Sequence, residues 1–498
     1  MRRFLQLIFW LVVAKIALFY GLHFFQIGLT PDEAQYWTWS KDLSYGYYSK
    51  PAGIAWSIAS GTHIFGDTEL GVRLPAALLS LLLSLSIYWF GKRAGLTERA
   101  SFWAAIAFSF CPIGIVFSFL ATTDCPFLLF WTLACGVFAK PLLEMKRVPF
   151  SLVGLLIGVG ALFKWPIYLL WVPIIGFSIA QRKGFFRLLF GILISACFLI
   201  PSLLWNVNHE WATLQHSFRS IVPDSLSKSS PNPFEFFIAQ FGLASPIFFI
   251  LILIALISLA FQLKKVPLSI SFCWWTTVFI FGLVFVISFF KRVQANWAVA
   301  AYPTAFCLTV AWGQMRGESF FRWMKAGLIV SLLLVSSLFW SLRFLPYSMN
   351  PCKEALGWQN MGKGLLDVGY KPESDFLFAD RYQTSSMLSF YGPQQKRAYF
   401  FNLHAIRKNQ FSYWPGPKNA YKDKAGFYVL IIDGKNCFQK ALSLQSSVKS
   451  LLKPYFKEVA TPIVIVPLYE VAGKTQKIAL VVRCSGYLGE LPPDSGRY

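Results

Sequence analysis

Apolar residues fill the first two-thirds of the chain in long stretches, separated by short basic patches. A bilayer core needs about 20 mostly apolar residues per helix. Stretches of that kind fall at 4–25, 70–91, 100–118, 123–139, 149–163, 165–181, 186–206, 236–262, 269–290, 297–313 and 323–344. They predict a multi-span α-helical membrane protein of about eleven transmembrane helices. The runs at 149–163 and 165–181 are short and meet at Lys164-Trp165-Pro166. The N-terminal run follows a basic start, is longer than a signal core and has no small-residue cleavage site after it. It is expected to remain as the first span.

The basic patches set orientation. Arg2-Arg3, Lys92-Arg93, Lys146-Arg147, Arg182-Lys183, Lys264-Lys265 and Arg316 with Arg322 and Lys325 all fall on one side when the span count is odd. The positive-inside rule makes that side cytoplasmic. Residues 26–69, 119–122, 207–235, 291–296 and the tail are then outside. The first external loop, 26–69, is too long and too aromatic for a linker.

Beyond residue 345 the pattern changes. Strand-length apolar runs stand at Phe376–Ala379, Phe427–Ile432, Ile463–Val466 and Ile478–Val482, with helix-like stretches at 382–391 and 437–452. The chain thus reads as a transmembrane domain, 1–345, and a small extracytoplasmic α/β domain, 346–498. Composition agrees, with 56% hydrophobic and only 14% charged residues. A net charge of +23 would suggest nucleic acid in a soluble chain. Here the charge lies largely in loops, where topology requires it, and nucleic acid is excluded as a partner. Six of the nine cysteines lie in or beside spans and read as small apolar residues. Cys352, Cys437 and Cys484 lie in the tail, where at most one pair could be bridged.

Candidate chemistry gathers on the outer side. Asp32-Glu33 follows the first span in TPDEAQYW. Thr-Pro-Asp-Glu is also a good helix start, so a capping role stands beside a general-base role. Asp124, in ATTDCPFLLFW, carries the same two readings: a cap, or a functional carboxylate at the hydrocarbon boundary. Lys50, in GYYSKPAG, is either a snorkelling interfacial lysine or a phosphate contact. Lys164, Arg219 and the Lys291-Arg292 pair are outer-side cations of the same kind, suited to an anionic lipid. Tyr36, Tyr47 and Tyr48 are the first loop's candidate substrate contacts. His63, His209 and His216 show no i, i+4 pairing, so histidine spacing gives only a weak metal signal.

The stretch from PDEAQYW through YYSKPAGIAW to FGDTELGVRLP resembles the first external loop of the lipid A aminoarabinose transferases and the related protein O-mannosyltransferases, members of the GT-C class of glycosyltransferases. TTDCPFLLFW resembles their second acidic motif, and KRVQANWAVAAYP and ADRYQTSSMLSFYG resemble later stretches of bacterial relatives. The resemblance implies a polyprenyl-phosphate sugar donor, transfer outside the cytoplasm to an envelope lipid, glycan or protein, and inversion at the anomeric carbon. By motif position Asp32 matches the first-loop acid, Asp124 the second acid and Lys50 the lysine on the donor phosphate. The aminoarabinose enzymes have Glu-Lys-Pro where this chain has Ser49-Lys50-Pro51, and that glutamate is implicated in metal binding; the departure puts a divalent metal in doubt. Gln35 stands where they have arginine, so the acceptor or donor sugar is open. The resemblance implies a single displacement in which Lys50 and the Lys291-Arg292 pair stabilise the leaving phosphate. Asp32 removes the acceptor proton if the acceptor is a hydroxyl. A polytopic transporter or lipid flippase of envelope biogenesis is the alternative; it would more often show matched repeats or broken helices. A non-catalytic scaffold would leave the acid-and-lysine loop unexplained.

Overall fold

The computed structural model describes residues 2–182, 184–221, 231–341, 347–461, 463–471, 473–493 and 496. The chain forms two compact units. One comprises Met1–Phe19, Lys50–Ser57 and Arg73–Leu338; the other comprises Tyr20–Ser49, Ile58–Val72 and Phe339–Tyr498. The chain changes unit near the compositional boundary at 345, but the first loop is shared. Its residues 20–49 and 58–72 group with the tail, and 50–57 group with the membrane helices.

Each of the eleven apolar runs is mainly helical over its described residues; 342–344 of the last run lie outside them. Among the described residues, five helices are long and apolar enough to cross a bilayer: Arg3–Phe24, Glu69–Arg93, Asp124–Leu143, Leu268–Ser288 and Glu318–Trp340. Counting each bent pair as one span gives up to seven by length and composition, fewer than the sequence pattern suggests. Proline is one reason. Cys111, before Pro112, is extended at φ −69° and ψ 157°, which ends the helix Glu98–Phe110. Ser245, before Pro246, has φ 77°, and the helices Pro233–Ala244 and Pro246–Ala260 meet there at 112°. The 236–262 run is therefore two helices at nearly a right angle. Phe185–Cys197 and Ile200–Val207 bend by 45° before Pro201. The runs around 165 and 297 open with short 3-10 turns.

The membrane unit packs around one apolar cluster that includes Phe108, Trp131, Phe138, Phe248, Phe272, Tyr302 and Phe306. Glycines bring the helices Phe150–Ala161 and Phe185–Cys197 together. A Cβ on Gly154 would stand 2.0 Å from the Gly191 carbonyl oxygen, and one on Gly191 would stand 2.4 Å from that of Phe150. Only a residue without a side chain permits that approach. Lys15, within the first span, donates to the Ser80 hydroxyl, so this odd charge finds a polar partner inside its own unit.

The second unit is built on a six-stranded sheet: β1 (Phe376–Ala379), β2 (Tyr399–Phe400), β3 (Gly426–Asp433), β4 (Phe456–Val459), β5 (Val464–Val471) and β6 (Lys474–Tyr487). The order is β2-β1-β3-β6-β4, with β5 also on β6. β1 runs parallel to β2 and β3, and β6 runs antiparallel to β3, β4 and β5. Val429 stands opposite Val481. Alternate residues serve two cores. Leu377, Phe427, Val429, Ala479 and Val481 pack with Met361, Leu365, Met387 and Leu388 on one face. Phe378, Tyr428, Ile478, Leu480 and Val482 pack with Cys437, Ala441, Val448 and Leu452 of the helix Cys437–Leu452 on the other. A sheet covered on both faces explains why β6 reads as a continuous apolar run. All nine cysteines are free thiols, including the three in this unit.

Candidate active site

In the membrane unit the second-motif acid is held by a cation and an amide. Asp124 opens the helix Asp124–Leu143. Lys164 Nζ lies 2.5 Å from its Oδ1, with side chains 19% and 10% exposed. Asn296 Nδ2 donates to its Oδ2 at 3.3 Å. Lys164 also lies 5.7 Å from the centre of the Phe127 ring. Both carboxylate oxygens thus have donors. Lys164, expected on a donor phosphate, is instead the counter-ion of Asp124. The physical reason is the low dielectric of this setting, where an unpaired carboxylate is costly. Next to the pair, the Thr122 hydroxyl and Trp165 Nε1 are buried without a hydrogen-bond partner among the described residues.

Lys50 enters the same unit by a tight contact. Three residues on, the Gly53 amide donates to the Leu162 carbonyl at 2.8 Å. A Cβ on Gly53 would stand 2.7 Å from that oxygen and 2.8 Å from the Phe163 ring. Glycine there lets the Lys50-Pro51 segment lie directly on the turn that carries Lys164. Lys50 itself is half-buried. The other outer cations stand in a more exposed group: Lys291 Nζ donates to the Arg219 carbonyl at 3.4 Å, and Arg292 pairs with Glu235 at 2.5 Å.

In the second unit the first-loop acids divide their work. Thr30 caps the helix Pro31–Ser40, and Glu33 closes a capping box with it: the Thr30 amide donates to Glu33 Oε2 at 2.9 Å, and the Glu33 amide donates to Thr30 Oγ1 at 3.3 Å. Glu33 is fully buried, so its carboxylate, proposed from sequence as catalytic, is placed as a structural cap. Asp32, one residue earlier, is exposed. Its charge adds to the rise of the Tyr382 phenol above the usual range, a rise that burial mainly causes and that the charge and hydrogen bond of Arg407 oppose.

The segment leading to Asp32 is tied to the tail. The Gly28 amide donates to the Ala355 carbonyl at 3.2 Å, and Ile27 bridges to Leu356. The Leu29 amide donates to the Tyr391 oxygen at 2.7 Å, and Tyr391 donates to Glu69 at 2.6 Å. Beneath this, Lys477 Nζ donates to the carbonyls of Lys353, Glu354 and Leu356 at 3.3, 3.2 and 2.8 Å. Burial pulls the Lys477 amine down to about 7, against the opposing charges of Asp433 and Glu354.

The three loop tyrosines are mostly framework. Tyr47 is buried and stacks on Trp39 at 4.6 Å, and its hydroxyl meets the Trp39 and Asp42 carbonyls and the Ser44 amide. Burial raises its phenol well above the usual range. Tyr36 packs against Trp39 at 5.0 Å, and the Tyr48 amide donates to Gln410 Oε1 at 2.7 Å.

The structure therefore joins Asp124 with Lys164, and Lys291 with Arg219; it puts Lys50 and Asp124 in one unit and Asp32, Tyr36, Tyr47 and Tyr48 in the other. Sequence reasoning passed over Asn296, although it lies in the quoted KRVQANW stretch, and Arg73, only 2% exposed within an apolar helix. A lone arginine in an apolar run was the available signal for the latter. Ser49 brings a weak ligand where an acid is expected, Glu33 is occupied by its cap, and no group of three or more His, Cys, Asp or Glu gathers among the described residues.

Comparison with known proteins fits this architecture. A family model described as dolichyl-phosphate-mannose-protein mannosyltransferase matches residues 49–205. The chain is 28% identical over 373 residues to the lipid A galacturonosyltransferase RgtD of Rhizobium johnstonii, covering 70% of this chain and 74% of that one. It is 32% identical over 111 residues to undecaprenyl phosphate-alpha-4-amino-4-deoxy-L-arabinose arabinosyl transferase 2 of Pseudomonas fluorescens, covering 20% and 19% of the two chains. The structure of ArnT from Cupriavidus metallidurans in the apo state superposes with a TM-score of 0.60 at 14% identity, covering 94% of this chain and 97% of that one. The same protein bound to undecaprenyl phosphate gives 0.58 at 14% identity, covering 94% and 96%. The superpositions show that the chain shares the fold of these proteins, and the sequence matches show a glycosyltransferase similar to them.

Proposed function

We propose that this chain takes a sugar from a polyprenyl-phosphate donor and transfers it, with inversion, to a lipid A-type envelope acceptor on the periplasmic face. The carrying observation is Asp32: an exposed carboxylate on a helix start made rigid by the Thr30–Glu33 box. The names of the relatives support the donor and the acceptor, since one acts on lipid A and another uses an undecaprenyl-phosphate sugar. The excess of basic residues in alternate loops supports the orientation.

In this reading the acceptor hydroxyl attacks the anomeric carbon as the bond to the lipid phosphate breaks. Asp32 takes the hydroxyl proton. By its motif position alone Lys50 is assigned to the charge growing on the departing phosphate. The Asp124–Lys164–Asn296 cluster holds the turn on which the Lys50 segment rests, and neither bonds nor protons are exchanged there. No step requires a metal.

The test is reconstitution. Purified full-length protein is given a short polyprenyl-phosphate sugar and lipid A, and the products are read by mass spectrometry and by the anomeric proton coupling. A lipid A species heavier by one sugar, with inverted configuration, is expected. Donor consumption without modified lipid A would remove the acceptor assignment, and retained configuration would remove the single displacement.

A further inference from the structure

In the second unit, three buried donor nitrogens, two of Arg397 and one of Asn409, have no hydrogen-bond partner among the described residues and play no part in the chemistry above. Arg397 lies just before β2, with its guanidinium carbon 4.1 Å from the centre of the Trp414 ring. Its Nε and Nη2 are buried and have no hydrogen-bond partner among the described residues. Lys408 is 6% exposed, and its Nζ lies 5.6 Å from the centre of the Tyr413 ring. The two rings belong to consecutive residues, so two cations converge on one short segment. β2 packs on the 3-10 turn Gln410–Tyr413 that carries this segment.

Asn409 sits at the start of that turn. Its Oδ1 accepts from the Phe411 amide at 2.9 Å, and its own amide donates to Ser412 Oγ at 3.2 Å. This box fixes the side chain. Its Nδ2 is then left buried with no partner among the described residues. These three unmatched nitrogens are donors, two from a guanidinium and one from an amide. A buried donor left unmatched costs about 1–3 kcal/mol, more when charged. Burial also pulls the Arg397 pKa down, and the charges opposing that pull are those of Asp42 and Tyr399. Asp42 is exposed, so it answers the field without filling the buried donors.

Donors of one sign, a planar cationic fork and flat aromatic walls match one ligand chemistry. We propose that Arg397, Lys408 and Asn409, walled by Trp414 and Tyr413, bind a phosphate monoester carried on a sugar. A guanidinium presents paired N–H groups at the spacing of phosphate oxygens. Aromatic faces suit the apolar side of a pyranose. In naming the acceptor's phosphorylated headgroup as the bound species, this rests on the transfer reading above; the anion site itself does not.

The experiment uses full-length protein in detergent, and turnover is not needed. Glucosamine 1-phosphate, glucosamine, phosphorylated lipid A and its dephosphorylated form are titrated calorimetrically, and hydrogen exchange is followed across 397–414. Saturable binding of a phosphorylated ligand, protection of that segment, and a weakening of about tenfold or more in Arg397→Gln are expected. Arg397→Lys should fall between the two. Saturation by glucosamine 1-phosphate identifies a site for free sugar phosphates; saturation by phosphorylated lipid A alone identifies the lipid headgroup. Equal binding of phosphorylated and dephosphorylated ligands, or unchanged affinity in Arg397→Gln, overturns the proposal. If Arg397→Gln melts early, Lys408→Gln replaces it under the same criteria. Loss of transfer with phosphate binding intact would count against the transfer reading alone.

Discussion

Each unit of this protein carries a cluster of charge, and the two are built on opposite plans. In the membrane unit Asp124 has both oxygens filled, by Lys164 and by Asn296. In the sheet-bearing unit Arg397 rests on a tryptophan with two nitrogens unmatched among the described residues, and Asp32 stands exposed. The first plan suits a place without water, where a charge must bring its own partner. The second suits a place where a ligand completes the set. A closed cluster supports position; an open one supports recognition and chemistry.

Five substitutions test that contrast, and the largest effect is expected at Asp32. Asp32→Asn should lower the transfer rate by about 10²- to 10⁴-fold at unchanged melting temperature, measured in the reconstituted assay. A loss of less than twofold would leave the open acid without a catalytic role. Asp124→Asn should act through folding, because it strands a buried cation at a cost of about 3–5 kcal/mol. Adding Lys164→Met should recover much of the lost thermal stability in detergent. A well-folded but inactive Asp124→Asn would instead make the closed cluster part of the chemistry.

Lys50→Ala should raise the KM for the donor about tenfold with a smaller change in kcat, because the contact is made with phosphate before and during departure. An unchanged donor KM would take Lys50 off the phosphate. The smallest effect concerns Lys477. Its amine titrates near 7 when folded and near 10.5 when unfolded, so between these values the unfolded chain holds more protons. Stability should rise as pH increases from about 7 toward 10.5 and fall as pH drops through 7. Lys477→Met should flatten that slope in melting curves. An equal slope in both proteins would place the titration elsewhere.

Much of this was legible before any coordinates. The helices Tyr382–Tyr391 and Cys437–Leu452 coincide with the stretches read from periodicity, and β1 coincides with its apolar run. β2, two residues long, and β4, with Lys457-Glu458 at its centre, lack the apolar run that marks a strand. They exist because β1 and β6 offer them an edge. The 112° elbow at Ser245 was hidden because Ser-Pro marks a possible break without its angle. The Thr30–Glu33 box was legible as a pattern, and geometry decided which acid it uses. The Asp124–Lys164 bond was not, since 40 residues separate its partners. Nothing in the sequence around Arg397 and Lys408 marks the burial of their side chains.

The seam between Gly154 and Gly191 carries one more consequence. Two backbones that touch leave no gap for a hydrocarbon chain to slip through. A hydrocarbon chain lying against this face therefore finds no cleft at that crossing, and any opening between the two helices lies away from it.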